Sequence, residues 1–361
     1  MSTQLSATFT TTLALVEQFQ TALTTPPATA AESAKDAKDV EALPLLTASA
    51  TALRAHVTKL SLLAITSPFT HSAIGTVLRE LNESVLPSLV TAALLITPAQ
   101  YTKAFQTEVL GLAKSVLTEL LGLVREVQRV DDKKEQEKGA KESDLTKAEK
   151  EVVTRATGRV WDACDVVIDV SQKGVVGFVM RRVEQWRDLV RDAVEEIEEW
   201  DPEDDDDDFM DELLDEDEKG QKDEEEDDEE ETAALNEHKK LTLRFLKPVA
   251  QVYPAIINNR LKNAGNAPLA SSAGIKTLES LMVILQAVPD HVDEAAGGLY
   301  EADFERSAEY LQKTRKCAAK AVDLVMVPWG AADDAPADKF TTWAKTWLKV
   351  VEEVSKAIDE N

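Results

Sequence analysis

FQTEVLGLAKSVLTELLGLV, Phe105 to Val124, decides the fold class. Phe105, Val109, Leu112, Val116, Leu120 and Val124 recur every three or four residues, the spacing that stacks side chains along one face of a helix. The stripe predicts a helix with one buried face, opened by Thr97-Pro98 as N-cap and first helical residue. The same spacing extends upstream. Leu5, Phe9, Leu13, Val16 and Leu23 make a Thr-rich first helix that stops at Pro26-Pro27. Leu45 to Ile65 reads as a second helix and His71 to Ile96 as a third, kinked at Pro87, which lacks the amide for one turn's hydrogen bond.

Downstream, DDKKEQEKGAKESD (Asp131 to Asp144) reads as a charged linker, and Thr146-x-x-Glu149 as a capping box. The helix it starts carries Val153, Ala156, Val160, Ala163 and Val167, breaks at Gln172 to Phe178, and resumes with Val183, Trp186, Val190, Val194 and Ile197. Further helices are expected near Thr232 to Lys262, Ala270 to Val288, His291 to Val327 with an interruption at Gly297-Gly298, and Ala337 to Ile358. The last bears Phe340, Trp343, Trp347, Val351, Val354 and Ile358 on one side. Amphipathic helices with short polar joints and no repeated unit point to an all-α chain of antiparallel bundles. The expected regions are an N-terminal bundle (1–130), a charged linker (131–145), central Trp-containing helices (146–200), a disordered acidic tract (201–231) and a C-terminal bundle (232–361).

Composition agrees. At 361 residues and 43% apolar the chain is long enough for two domains with sizeable cores, and its few glycines, prolines and aromatics leave few strand signals. Cys164 and Cys317 stand far apart without a C-x-x-C partner, which suits a reducing compartment. No lysine or arginine precedes Lys35, so no basic leader is expected, and cytoplasm and nucleus are the expected locations. The longest apolar run, Leu89 to Ile96, is less than half the roughly 20 residues that span a bilayer.

Asp201 to Glu231 holds 22 carboxylates and two lysines, net −20 of the chain's −27. Such a run stays extended and hydrated, and a solvated linker is its plain reading. Phe209/Leu213 and Met210/Leu214, each four apart inside the acid, are the candidate docking residues: they form an apolar stripe if a partner induces a helical turn. Lys239, Lys240, Arg244 and Lys247 follow the tract as a basic cluster that the acid can cover.

Signs of chemistry are sparse. His56, His71, His238 and His291 have no partner at metal-ligand spacing, and no nucleotide-loop, zinc-protease or nucleophile-elbow motif occurs. Asp162, Asp165 and Asp169 share a helix face that can hold magnesium, although a solvated acidic face explains them as well. Basic residues alternate with acids, so direct nucleic-acid binding is not expected, nor is a cofactor, a metal or catalysis.

TGRVWDACD (Thr157 to Asp165), VEEIEEWDPEDDDDDFMDEL (Val194 to Leu213) and GIKTLESL (Gly274 to Leu281), in this order, resemble the GCIP family, proteins that interact with a Grap-type adaptor and with D-type cyclins. The resemblance implies two helical bundles similar to those of vinculin and talin, without catalytic activity. It also implies a negative regulator of cell-cycle progression that binds D-type cyclins and helix-loop-helix factors and moves between cytoplasm and nucleus. Thr157, Gly158, Trp161, Cys164 and Asp165 carry the motif, and tryptophan at helical spacing reads first as packing. A leucine zipper is not expected: Leu110, Leu117 and Val124 are too few for a coiled coil.

The reading is a non-enzymatic all-α adaptor. The alternatives are an acidic nuclear chaperone, whose grip on histones would fail as salt rises, and a vinculin-like cytoskeletal adaptor, which would cosediment with filaments.

Overall fold

The structure, a computed structural model, describes residues 2–25, 41–136, 144–202, 224–331 and 336–359, with the backbone alone for 2–3, 224–231, 357 and 359. All regular structure among them is helical. The docking stripe Phe209, Met210, Leu213 and Leu214 lies outside the described residues. The chain divides into two compact units, Met1–Phe178 and Val179–Asn361, and the division falls inside the expected central region 146–200.

The first unit contains α1 (Ser2–Thr24), α2 (Ala42–Ile65), α3 (His71–Glu80), α4 (Leu86–Leu95), α5 (Lys103–Gln136) and the first half of α6 (Lys147–Glu199). Successive long rods run antiparallel. Gln106 Nε2 donates to the Ile96 carbonyl while His71 meets Asp131, which sets α3 and α4 against α5. Arg159 pairs with Glu119 and Lys133 with Glu149, setting α5 against α6. Thr47 bonds Ser171, and Trp161 bonds Thr58, setting α2 against α6. Phe9, Leu53, Leu60, Leu78, Phe105, Leu120 and Val160 are fully enclosed between the rods.

The second unit contains the rest of α6, then α7 (Glu224–Ala250), α8 (Val252–Ile256), α9 (Ser272–Tyr300), α10 (Phe304–Leu324) and α11 (Lys339–Asp359). The indole of Trp347 donates to the Pro248 carbonyl at 2.8 Å and the Tyr253 hydroxyl to that of Leu285 at 3.2 Å, fixing α11 and α9 around α7 and α8.

Several boundaries differ from the sequence reading, each for a local reason. Thr102, not Thr97, caps α5: its buried hydroxyl accepts the Phe105 amide, while Thr97-Pro98 starts a turn. The same helix runs through the supposed linker to Gln136, because Val130, Asp131 and Lys134 are buried against the bundle. In the Phe105 to Val124 stripe, Leu112 is only half-buried, and Ala113 and Leu117 face the core. Thr12 likewise takes the inward place beside a half-buried Leu13. Before Pro87 the chain widens into a π turn, Leu81–Val85, in which the Leu86 amide reaches back to the Leu81 carbonyl and relieves the crowding that the proline ring causes. Residues 224–231, read as the end of the acidic tract, already belong to α7. The break at Gly297-Gly298 moves on to Glu301–Asp303. Gly298 stays helical and lets α10 approach, since a Cβ there would stand 2.7 Å from the Ser307 nitrogen. The capping box is present, with the Thr146 amide 2.8 Å from Glu149 Oε2 and the Glu149 amide 3.3 Å from Thr146 Oγ1. So is the break in α6, where Gly174 has φ 64°.

Arg260 holds the base of the second unit. With its side chain 2% exposed, it donates to the carbonyls of Val325 (2.6 Å) and Met326 (2.9 Å) and pairs with Asp338 at 2.7 and 3.1 Å. Its guanidinium lies 4.3 Å over the Phe340 ring, and its own carbonyl accepts the Trp329 indole. The Arg260 contact holds the Asp338 carboxyl well below the usual carboxylate range. Arg260→Leu is therefore expected to cost about 3–5 kcal/mol, read by denaturant unfolding, because it strands two carbonyls and a carboxylate.

Glu149 gives a pH-dependent prediction. Its hydrogen bonds from Lys133 and from Thr146 bring its pKa down from 4.5 to about 2. A lowered folded pKa means stability present above the unfolded value and lost as pH falls through the folded one. Glu149→Ala is expected to lower stability near neutral pH by about 1 kcal/mol, with the difference from the parent shrinking below pH 4.5 and gone by about pH 2.

Candidate functional site

Up to Gly174, α6 presents two sides. Val153, Ala156, Thr157, Val160, Cys164 and Val167 point into the bundle, and the Thr157 hydroxyl bonds back to the Val153 carbonyl at 2.8 Å. Burial pushes the Cys164 thiol up to about 12, so at neutral pH it is an inert apolar side chain. Thr157 and Cys164 are packing residues.

Trp161 and Asp165 turn outward along the seam with α2. The indole, half-buried, donates to Thr58 Oγ1 at 3.1 Å, and that hydroxyl donates to the Arg54 carbonyl at 2.8 Å. Arg54 arches over the indole at 5.6 Å from the ring centroid and sets its Nε 3.3 Å from Asp165 Oδ1. Both charges are about half exposed, so their pairing contributes about 0–1 kcal/mol and mainly orients the side chains. One turn beyond Thr58, Leu62 is 56% exposed. Gly158, one turn before Trp161, has nothing within 4 Å of where a Cβ would stand. An indole, a guanidinium and a bare leucine thus share one open surface. Tryptophan and arginine are the types that dominate binding energy at protein interfaces.

The three aspartates do not converge on an ion site. Asp165 pairs with Arg54, Asp169 with Lys173 at 2.8 Å, and Asp162 is exposed.

The basic cluster is split. Lys239 donates to the carbonyls of Trp200 and, at 3.2 Å, Glu198, and Lys247 pairs with the Glu198 carboxylate. Two of the four lysine and arginine side chains thus hold the C-terminal end of α6, where a cation also meets the negative end of the helix dipole. Lys240 and Arg244 are exposed, with no ion pair among the described residues.

Residues 45–203 match the family described as Grap2 and cyclin-D-interacting, N-terminal. This segment is similar to the GCIP family, in line with the resemblance carried by Thr157 to Asp165. Comparison with curated proteins gave no match. The GCIP segment runs from α2 to the start of the acidic tract, so Arg54, Thr58, Leu62, Gly158, Trp161 and Asp165 all lie within it. Sequence reasoning found the α6 half of this surface and missed the α2 half. The available signal was the four-residue spacing of Arg54, Thr58 and Leu62 on one helix face.

Gly158→Ala fills open space in mid-helix and is expected to stabilise the chain by about 0.5–1 kcal/mol in denaturant unfolding.

Proposed function

We propose that this chain is a non-catalytic adaptor that binds D-type cyclins and helix-loop-helix factors through the α2–α6 surface centred on Trp161, restraining cell-cycle progression from the cytoplasm and nucleus. The observation that carries the reading is the half-exposed Trp161 with Arg54 above it, inside the segment that matches a family named for cyclin-D interaction. The inert Cys164 beside it is consistent with a surface that binds rather than reacts. An extended partner helix suits such a surface, because an apolar anchor flanked by a charge pair supplies both area and register.

The test is binding of a purified D-type cyclin to the full chain, compared with Leu62→Asp, Gly158→Arg and a chain lacking 201–231. Leu62 is exposed and Gly158 faces open space, so both substitutions keep the fold, checked by helical circular dichroism. Each is expected to weaken binding at least about tenfold, the scale of a lost interface anchor, while the deletion leaves it within a few-fold. Unchanged binding by both surface variants, or loss with the deletion or with rising salt, would overturn this assignment in favour of the acidic tract.

A further inference from the structure

His71 opens α3, and Asp131 and Glu135 stand one turn apart near the end of α5. The fold brings together what the sequence keeps 60 residues apart. His71 Nδ1 lies 2.7 Å from Asp131 Oδ1, and Nε2 lies 3.5 Å from Glu135 Oε1. Asp131 is nearly enclosed, its side chain 4% exposed, while His71 and Glu135 reach the surface. One donor atom from each of the three falls within 4.8 Å of the others.

The imidazole cannot satisfy both contacts when neutral. An ionised Asp131 accepts from Nδ1–H, which leaves the Nε2 lone pair directed at a second carboxylate. That contact is met either by a second proton on the ring or by a metal ion at Nε2. Zinc binds imidazole nitrogen at about 2.0–2.1 Å and carboxylate oxygen at about 2.0–2.2 Å, so two such ligands at a tetrahedral angle stand roughly 3.4 Å apart. The separation here is 3.5 Å. A carboxylate on the far ring nitrogen is also the arrangement that orients and strengthens metal-binding histidines.

We propose that His71 Nε2 and Glu135 bind one divalent transition-metal ion of the zinc class, with Asp131 as the positioning residue behind the imidazole and water completing the coordination. The nitrogen ligand favours zinc, cobalt and nickel over calcium and magnesium, which take oxygen ligands. With one ligand on α3 and the other on α5, the ion bridges two helices of the first unit and stabilises it on binding.

The experiment titrates the full chain with Zn2+ and, separately, Co2+ in millimolar Mg2+, which saturates the oxygen-only acidic tract. Uptake is followed by calorimetry, by the visible spectrum of Co2+ and by melting temperature. The expected result is one saturable equivalent that raises the melting temperature and gives Co2+ a nitrogen-ligated spectrum. His71→Ala and Glu135→Gln abolish it, and Asp131→Asn weakens it about 10–100-fold. If His71→Ala disturbs the fold, Glu135→Gln, at the surface, decides. No saturable uptake in the presence of Mg2+, or equal uptake by the parent and Glu135→Gln, would overturn the proposal and assign any bound metal to the acidic tract.

Discussion

The antiparallel contact between α2 and the first half of α6 is the constraint on which the candidate surface depends. Each helix carries an apolar stripe that is unfavourable in water and is buried in the first unit, Leu53, Val57 and Leu60 on α2 and Val160, Cys164 and Val167 on α6, and Thr47–Ser171 and Trp161–Thr58 hold the two helices side by side. Trp161 lies on the seam between the two helices. The indole is half-buried beside α2, with its N–H on Thr58. Arg54 then lies over the ring and pairs with Asp165. The candidate surface is a consequence of packing rather than an addition to it.

The second unit solves a different problem. Its chain turns sharply at the π turn Ile257–Leu261 and again at Val325–Trp329, and those turns leave carbonyls that helices cannot satisfy. A single buried arginine answers most of them, because guanidinium offers five donors in a fixed plane. Its charge is in turn balanced by Asp338 at the start of α11. The second unit thus keeps Arg260 inside as a fixed point, as the first keeps Asp131 against His71.

The helices themselves were legible, because 3.6-residue periodicity is a direct imprint of burial on sequence. The capping box at Thr146 and Glu149 and the break near Gly174 were legible too, since both depend on neighbours a few residues away. What could not be read were features set by partners far along the chain. Asp131 looked like linker because charge usually means solvent, yet it is buried by contact with His71, 60 residues earlier. Trp161 read as core because its spacing was right, and it is half-exposed because α2 offers an edge rather than a face. Gly298 read as a helix stop, whereas its missing side chain serves the approach of α10. The stripe at Phe209, Met210, Leu213 and Leu214 lies outside the described residues, and the sequence remains its whole account.

The similarity of residues 45–203 to the GCIP family gives this geometry its functional context, and the matched segment encloses both halves of the Trp161 surface. The most direct test of the central claim is backbone hydrogen exchange of the full chain with and without a bound D-type cyclin, resolved by peptide. The account predicts slowed exchange along Arg54 to Leu62 of α2 and Gly158 to Asp165 of α6, with the rest of both units unchanged. Slowing confined to the acidic tract between Asp201 and Glu231, with α2 and α6 unaffected, would contradict it.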